Sequence, residues 1–199
     1  MRTCFVAVAA AIALLVVCSP SEPQPTVTPT TATPVVTPTP SPSPTPTPTP
    51  TTAPSFPSGL PTEDPETAAV IAGWQEYWRV FEKLGADPDN REQNETQHVT
   101  TGQEASIILL KLDDMRAARI RIEGGYIFRQ ISVVLADKGS TPRTAELTYC
   151  LDRTGLRLFN MDTGAPIPAQ GTLLERATMR MMPDGSWRVE SILNESKSC

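Results

Sequence analysis

Between Pro20 and Pro57 the chain carries fourteen of its 21 prolines and a single charged residue, Glu22. Strict Thr-Pro and Ser-Pro alternation runs from Thr37 to Thr51. Proline holds φ at about −65° and biases the residue before it toward extended backbone, so this stretch favours polyproline-II-like chain. With so little apolar area it cannot offset the entropy of ordering its backbone, and it is expected to stay out of any packed core. The chain of 199 residues therefore divides into a leader (1–18), a disordered Pro/Thr/Ser-rich linker (19–61) and a domain (62–199). At about 3.1 Å per residue, roughly forty linker residues reach on the order of 100 Å if stiff. A spacer that holds the domain away from a membrane fits this composition. A proline-motif ligand and a Thr-glycosylated stalk are the alternatives.

The leader has one basic residue, Arg2, and an apolar run from Phe5 to Val17. That run has the length of a signal-peptide core and is short of the roughly 20 residues that span a membrane. It ends in Leu15-Val16-Val17-Cys18, which resembles a bacterial lipobox with Cys18 as the lipidation candidate. Val17 stands where a small residue is usual, so an ordinary signal peptide and an uncleaved anchor stay open beside lipidation. Each reading exports the domain, either to the outer face of the cytoplasmic membrane or into the cell wall.

Residues 62–199 hold 21 acidic and 16 basic side chains, a net charge of 16 − 21 = −5. The charges are interspersed, with no basic stripe. That argues against nucleic acid as a partner.

Hydrophobic spacing orders this domain as helices, then strands. Val70, Ile71, Trp74, Tyr77, Trp78, Phe81 and Leu84 recur at three and four residues, which predicts a helix over 62–84. Asp64, Pro65 and Glu66 supply its N-cap, first-turn proline and favourable dipole charge. Thr101 and Glu104 have capping-box spacing, so a second helix is expected from Thr101, with Ala105, Ile108, Leu109, Leu112 and Met115 on one stripe. From Tyr126 the period falls to two: Ile131, Val133, Leu135; Ala145, Leu147, Tyr149; Ala177, Met179, Met181; Trp187, Val189. Polar residues fill the alternate positions, and Pro183-Asp184-Gly185 marks a tight hairpin. The expected fold class is α+β, with the N-terminal helices on one face of a curved, cone-like antiparallel sheet.

Of the four cysteines, Cys150 and Cys199 fall in the exported domain. In an oxidising compartment the simplest reading is a Cys150–Cys199 disulfide; free thiols or a metal site are weaker readings. A metal would need companions at ligand spacing, and the one histidine, His98, is far off in sequence, so no metal and no cofactor are expected.

The aromatic helix with Tyr77-Trp78, Thr101-Gly102-Gln103-Glu104, Thr144-Ala145-Glu146-Leu147, Cys150-Leu151-Asp152, Gly185-Ser186-Trp187-Arg188-Val189 and the terminal Cys199 come in an order that resembles one known family. It is the set of small secreted and lipoprotein members of the actinobacterial nuclear transport factor 2-like superfamily. The resemblance covers about residues 64–199. It implies a curved antiparallel sheet around helices, forming a cone with an apolar mouth. Members include ketosteroid isomerases, polyketide cyclases and non-catalytic modules, so fold does not decide function.

Isomerase chemistry on such a fold needs an inward acid beside a tyrosine. Tyr149 and Tyr77 face inward, but alternation places Asp152 outside, and Asp113 and Asp114 lie away from the apolar stripe. A tyrosine hydroxyl bonded to a backbone carbonyl is the expected arrangement, with no catalytic residue. The pocket candidates are Trp74, Tyr77, Trp78, Tyr149, Met179 and Trp187, which equally suit a plain core. The sequence thus points to a non-catalytic envelope module for a small apolar ligand or an envelope protein, with membrane anchoring and a homodimer both compatible. An isomerase- or cyclase-type enzyme acting on a small apolar substrate is the alternative.

Overall fold

A computed structural model of the chain describes residues 55–169, 171–195 and 197–199. The expected leader, Cys18 and the linker up to residue 54 lie outside the described residues.

Helix α1 (Pro65–Ala86) forms as its spacing predicts. Asp64 caps it, accepting the Thr67 N–H at 2.7 Å, and that bond holds the Asp64 carboxyl below its usual range. Its buried stripe runs from Val70 through Trp74, Tyr77, Trp78 and Phe81 to Leu84. Gly73 lets the helix sit on the sheet: a Cβ there would lie 2.3 Å from the Trp187 carbonyl oxygen. After a polar connector come a short helix α2 (Thr96–Val99) and α3 (Glu104–Ala117). The capping box expected at Thr101 is not made. Helix α3 begins only at Glu104, its N-cap Gln103 makes no side-chain bond, and the Thr101 N–H donates instead to the Val189 carbonyl at 2.8 Å. Glu104 turns inward, because its position is one turn before Ile108 on the buried face.

Seven strands follow: β1 (Ile120–Gly124), β2 (Ile127–Leu135), β3 (Thr144–Asp152), β4 (Leu156–Asn160), β5 (Pro166–Ile167), β6 (Thr172–Met181) and β7 (Trp187–Asn194). Strands β2-β3-β6-β7 form one antiparallel sheet, and β1-β4-β5 a smaller one. Two irregularities bend the larger sheet. On β2 the register shifts between Arg129 and Ser132, with Gln130 at φ 53°, so burial passes from Phe128 to Ile131, Val133 and Leu135. On β7 the register skips Glu190, and inward packing passes from Val189 to Ile192. The helices cover one face, as the α+β pattern requires.

Residues 55–61, assigned above to the linker, belong in part to the packed domain. The Ser55 N–H donates to the Tyr126 carbonyl at 2.9 Å, and the Phe128 N–H returns a bond to Ser55 at 3.0 Å. Phe56 then stacks on Phe128 (5.1 Å between ring centroids) and meets Trp74 edge-on (5.3 Å). Proline density alone did not reveal that one aromatic residue at the end of such a stretch is enough to dock it.

Cys150 and Cys199 are joined by a disulfide. Cys150 lies on the outer face, opposite Arg129 and Leu174, as alternation places it. It is nonetheless buried, because the tail returns along β6: the Glu195 N–H donates to the Leu174 carbonyl, and the Leu174 N–H to that of Lys197. Among the described residues, no helix is long and apolar enough to cross a membrane.

Candidate ligand cavity

A cavity of about 510 Å³ opens between the helices and the smaller sheet. Helix α1 contributes Phe81, and α3 contributes Lys111, Asp114 and Met115, one helical turn apart. Strand β1 presents Ile120 and Ile122 by alternation, β4 presents Leu156 and Leu158, and Pro168 and Ala169 follow β5. Tyr126 and Arg153 complete the wall. Most of this surface is apolar, and its polar side chains are brought by short loops and by one face of α3.

The six pocket candidates read from sequence sit elsewhere. Trp74, Tyr77, Trp78, Tyr149 and Met179 are packed into the hydrophobic core, and none of them lines this cavity. Trp74, Trp78 and Phe128 surround the Tyr149 ring at centroid distances of 5.0, 6.3 and 5.9 Å. Trp187 is also buried, and its edge borders a separate cleft beside exposed His98 and Gly73.

Sequence reasoning missed the acids. Three glutamates point into the domain, where no inward carboxylate was expected. The Tyr77 hydroxyl donates to Glu104 Oε1 at 2.7 Å, and the Lys111 ammonium lies 3.3 Å from the same oxygen. The Tyr149 hydroxyl donates to Glu175 Oε2 at 2.9 Å. Both tyrosines therefore bond carboxylates rather than backbone carbonyls. The Tyr126 backbone N–H donates to Glu82 Oε1 at 2.7 Å, while Glu82 Oε2 and Glu104 Oε2 have no hydrogen-bond partner among the described residues.

Burial dominates the electrostatics here. It pushes Glu82 up to about 7, against the opposing pull of the Tyr126 N–H. Burial also raises Glu175, despite the Tyr149 hydrogen bond and nearby Lys111 and Arg153. The Tyr77 and Tyr149 hydroxyls are driven well up by burial first and then by the adjoining glutamates, so both remain donors. On the outer face Asp152 behaves oppositely: bonds from Thr154 and then Arg129 hold it low. Asp114 is exposed, off the buried stripe as its helical position places it, and it borders the cavity at its rim. Among the described residues, no group of three or more His, Cys, Asp or Glu is placed to hold a metal ion.

No family model and no curated protein matches the chain. Among solved structures it is similar to the intermembrane-space region of the chloroplast protein ARC6 (TM-score 0.39, 14% identity, 67% of this chain and 98% of that one). A protein from Catenulispora acidiphila is similar at TM-score 0.41 and 13% identity, over 64% of this chain and 91% of that one. A further Catenulispora acidiphila structure, a complex with S-DNPA, is similar at TM-score 0.40 and 12% identity, over 64% and 92%. ActVI-ORFA from Streptomyces coelicolor is similar at TM-score 0.38 and 15% identity, over 66% and 96%. The element order, the one-sided helix packing and the bent antiparallel sheet make the domain an α+β fold, the class expected from its sequence.

Proposed function

We propose that the domain is a non-catalytic binding module that takes a small, largely apolar ligand, and that the proline-rich stretch holds it away from a membrane. One observation carries this reading: a cavity of about 510 Å³ walled by Phe81, Met115, Ile120, Ile122, Leu156 and Leu158. Concave apolar surface with a few convergent polar groups is the usual form of a small-molecule site. The spacing role rests on the sequence alone, as do export, attachment through Cys18 and an envelope location. A homodimer is compatible with the module and has no support of its own.

The test is mass spectrometry of small molecules released from the full-length chain, beside a Leu156→Trp variant whose added ring fills the cavity. The expected result is an apolar compound released from the native chain and absent from the variant. Equal release from both removes the cavity as the site.

An isomerase- or cyclase-type enzyme is the second reading, and the Tyr77–Glu104 and Tyr149–Glu175 pairs are what favour it. It stands second because neither pair lines the cavity, and an acid must reach the proton that it moves. Deuterium exchange from solvent into an enolisable apolar ketone, lost in Glu175→Gln, supports the enzyme. No exchange removes it.

A further inference from the structure

The polar groups of the cavity are uneven in charge. Lys111 and Arg153 line it from partly buried positions, while the one acid, Asp114, is exposed. Three more acids lie near, but Glu82, Glu104 and Glu175 are covered and none forms part of the wall. Of these, Glu175 is the covered acid that feels both Lys111 and Arg153, and burial raises it toward its uncharged form. Lys111 carries three N–H groups, and its contact with Glu104 at 3.3 Å occupies one direction.

We propose that the cavity takes an amphipathic anion, with its apolar body against Phe81, Ile122 and Leu156 and a carboxylate-type group against Lys111 and Arg153. The inference rests on the apolar-ligand reading above and adds the chemistry of the charged end. An ammonium beside apolar walls makes stronger charge-assisted hydrogen bonds than one in water. A neutral ligand entering the same space strips water from that ammonium and returns no equivalent bond. A cationic ligand meets the like charges of Lys111 and Arg153 against the single opposite charge of Asp114.

Calorimetric titration of the full-length chain with octanoate, octanol and octylammonium tests this, since the three share one apolar body. Octanoate is expected to bind about tenfold tighter than octanol, with octylammonium weakest. Lys111→Met is expected to remove most of the preference for octanoate over octanol, and Lys111→Arg to keep it. Should Lys111→Met fail to fold, the three ligands on the native chain still decide. Octanol or octylammonium binding as tightly as octanoate overturns the anion preference and leaves the apolar cavity standing. Failure of all three to bind overturns both.

Discussion

Tyr149 and Glu175 are direct cross-strand partners on β3 and β6, and the tyrosine hydroxyl donates to the carboxyl at 2.9 Å inside the core. Tyr149 is fully buried and Glu175 nearly so. A buried acceptor that loses its donor costs about 1–3 kcal/mol. Tyr149→Phe is expected to destabilise the domain by that amount in urea unfolding. Glu175→Gln, which keeps a carbonyl acceptor for the hydroxyl, is expected to cost less. No loss of stability in Tyr149→Phe would mean that the hydrogen bond contributes nothing to the fold.

Glu82 couples folding to pH. Burial pushes its carboxyl up to about 7 in the folded chain, from an ordinary value of 4.5. The folded chain therefore binds more protons than the unfolded chain between these values, and stability falls as pH rises through that window. The raised Glu175 acts in the same direction. Glu82→Gln removes the Glu82 share. The native chain is expected to lose on the order of 2–3 kcal/mol relative to that variant between pH 4.5 and 7, read from urea midpoints across pH. A constant difference would exclude a buried, titrating Glu82.

Phe56 joins the end of the proline-rich stretch to the core. It contacts Trp74 and Phe128, and the Arg79 guanidinium lies 5.6 Å from its ring centroid. The ring is only partly buried, so Phe56→Ala is expected to cost about 2–3 kcal/mol, below the usual value for a fully buried Phe. A chain starting at residue 62 is expected to lose at least as much. Thermal unfolding of the two proteins checks this, and no change in either would mean that the contact is superficial.

The Cys150–Cys199 bond closes a loop with a sequence separation of 49 residues. On the chain-entropy relation this constrains the unfolded chain by about 4 kcal/mol. Cys199→Ser is expected to lose most of that, and Cys150 and Cys199 are expected to yield no reactive thiol before reduction. Reaction of Cys150 and Cys199 themselves without reductant would contradict the bond.

Much of this domain was legible from periodicity. The stripe of α1, the alternation of β3 and β6 and the hairpin at Asp184 follow directly from residue spacing. The three inward glutamates obey the same spacing: Glu82 continues the four-residue ladder of Trp74 and Trp78, Glu104 precedes Ile108, and Glu175 precedes Ala177 and Met179. They escaped notice because charge was taken as a sign of exposure, although a carboxyl with a hydroxyl or amide donor can be buried. The cavity was not legible, because its wall joins α3 to β1 and β4 and depends on pairing between strands distant in sequence. The aromatic residues chosen as pocket candidates were the largest inward side chains, and large inward side chains fill a core before they line a space.

Methyl NMR of the full-length chain during a titration with octanoate tests the cavity most directly. Saturable shifts are predicted at Met115 and Ile122, which line it, with Met179 unmoved in the core. Shifts that appear first at Met179, or none that saturate, would contradict it.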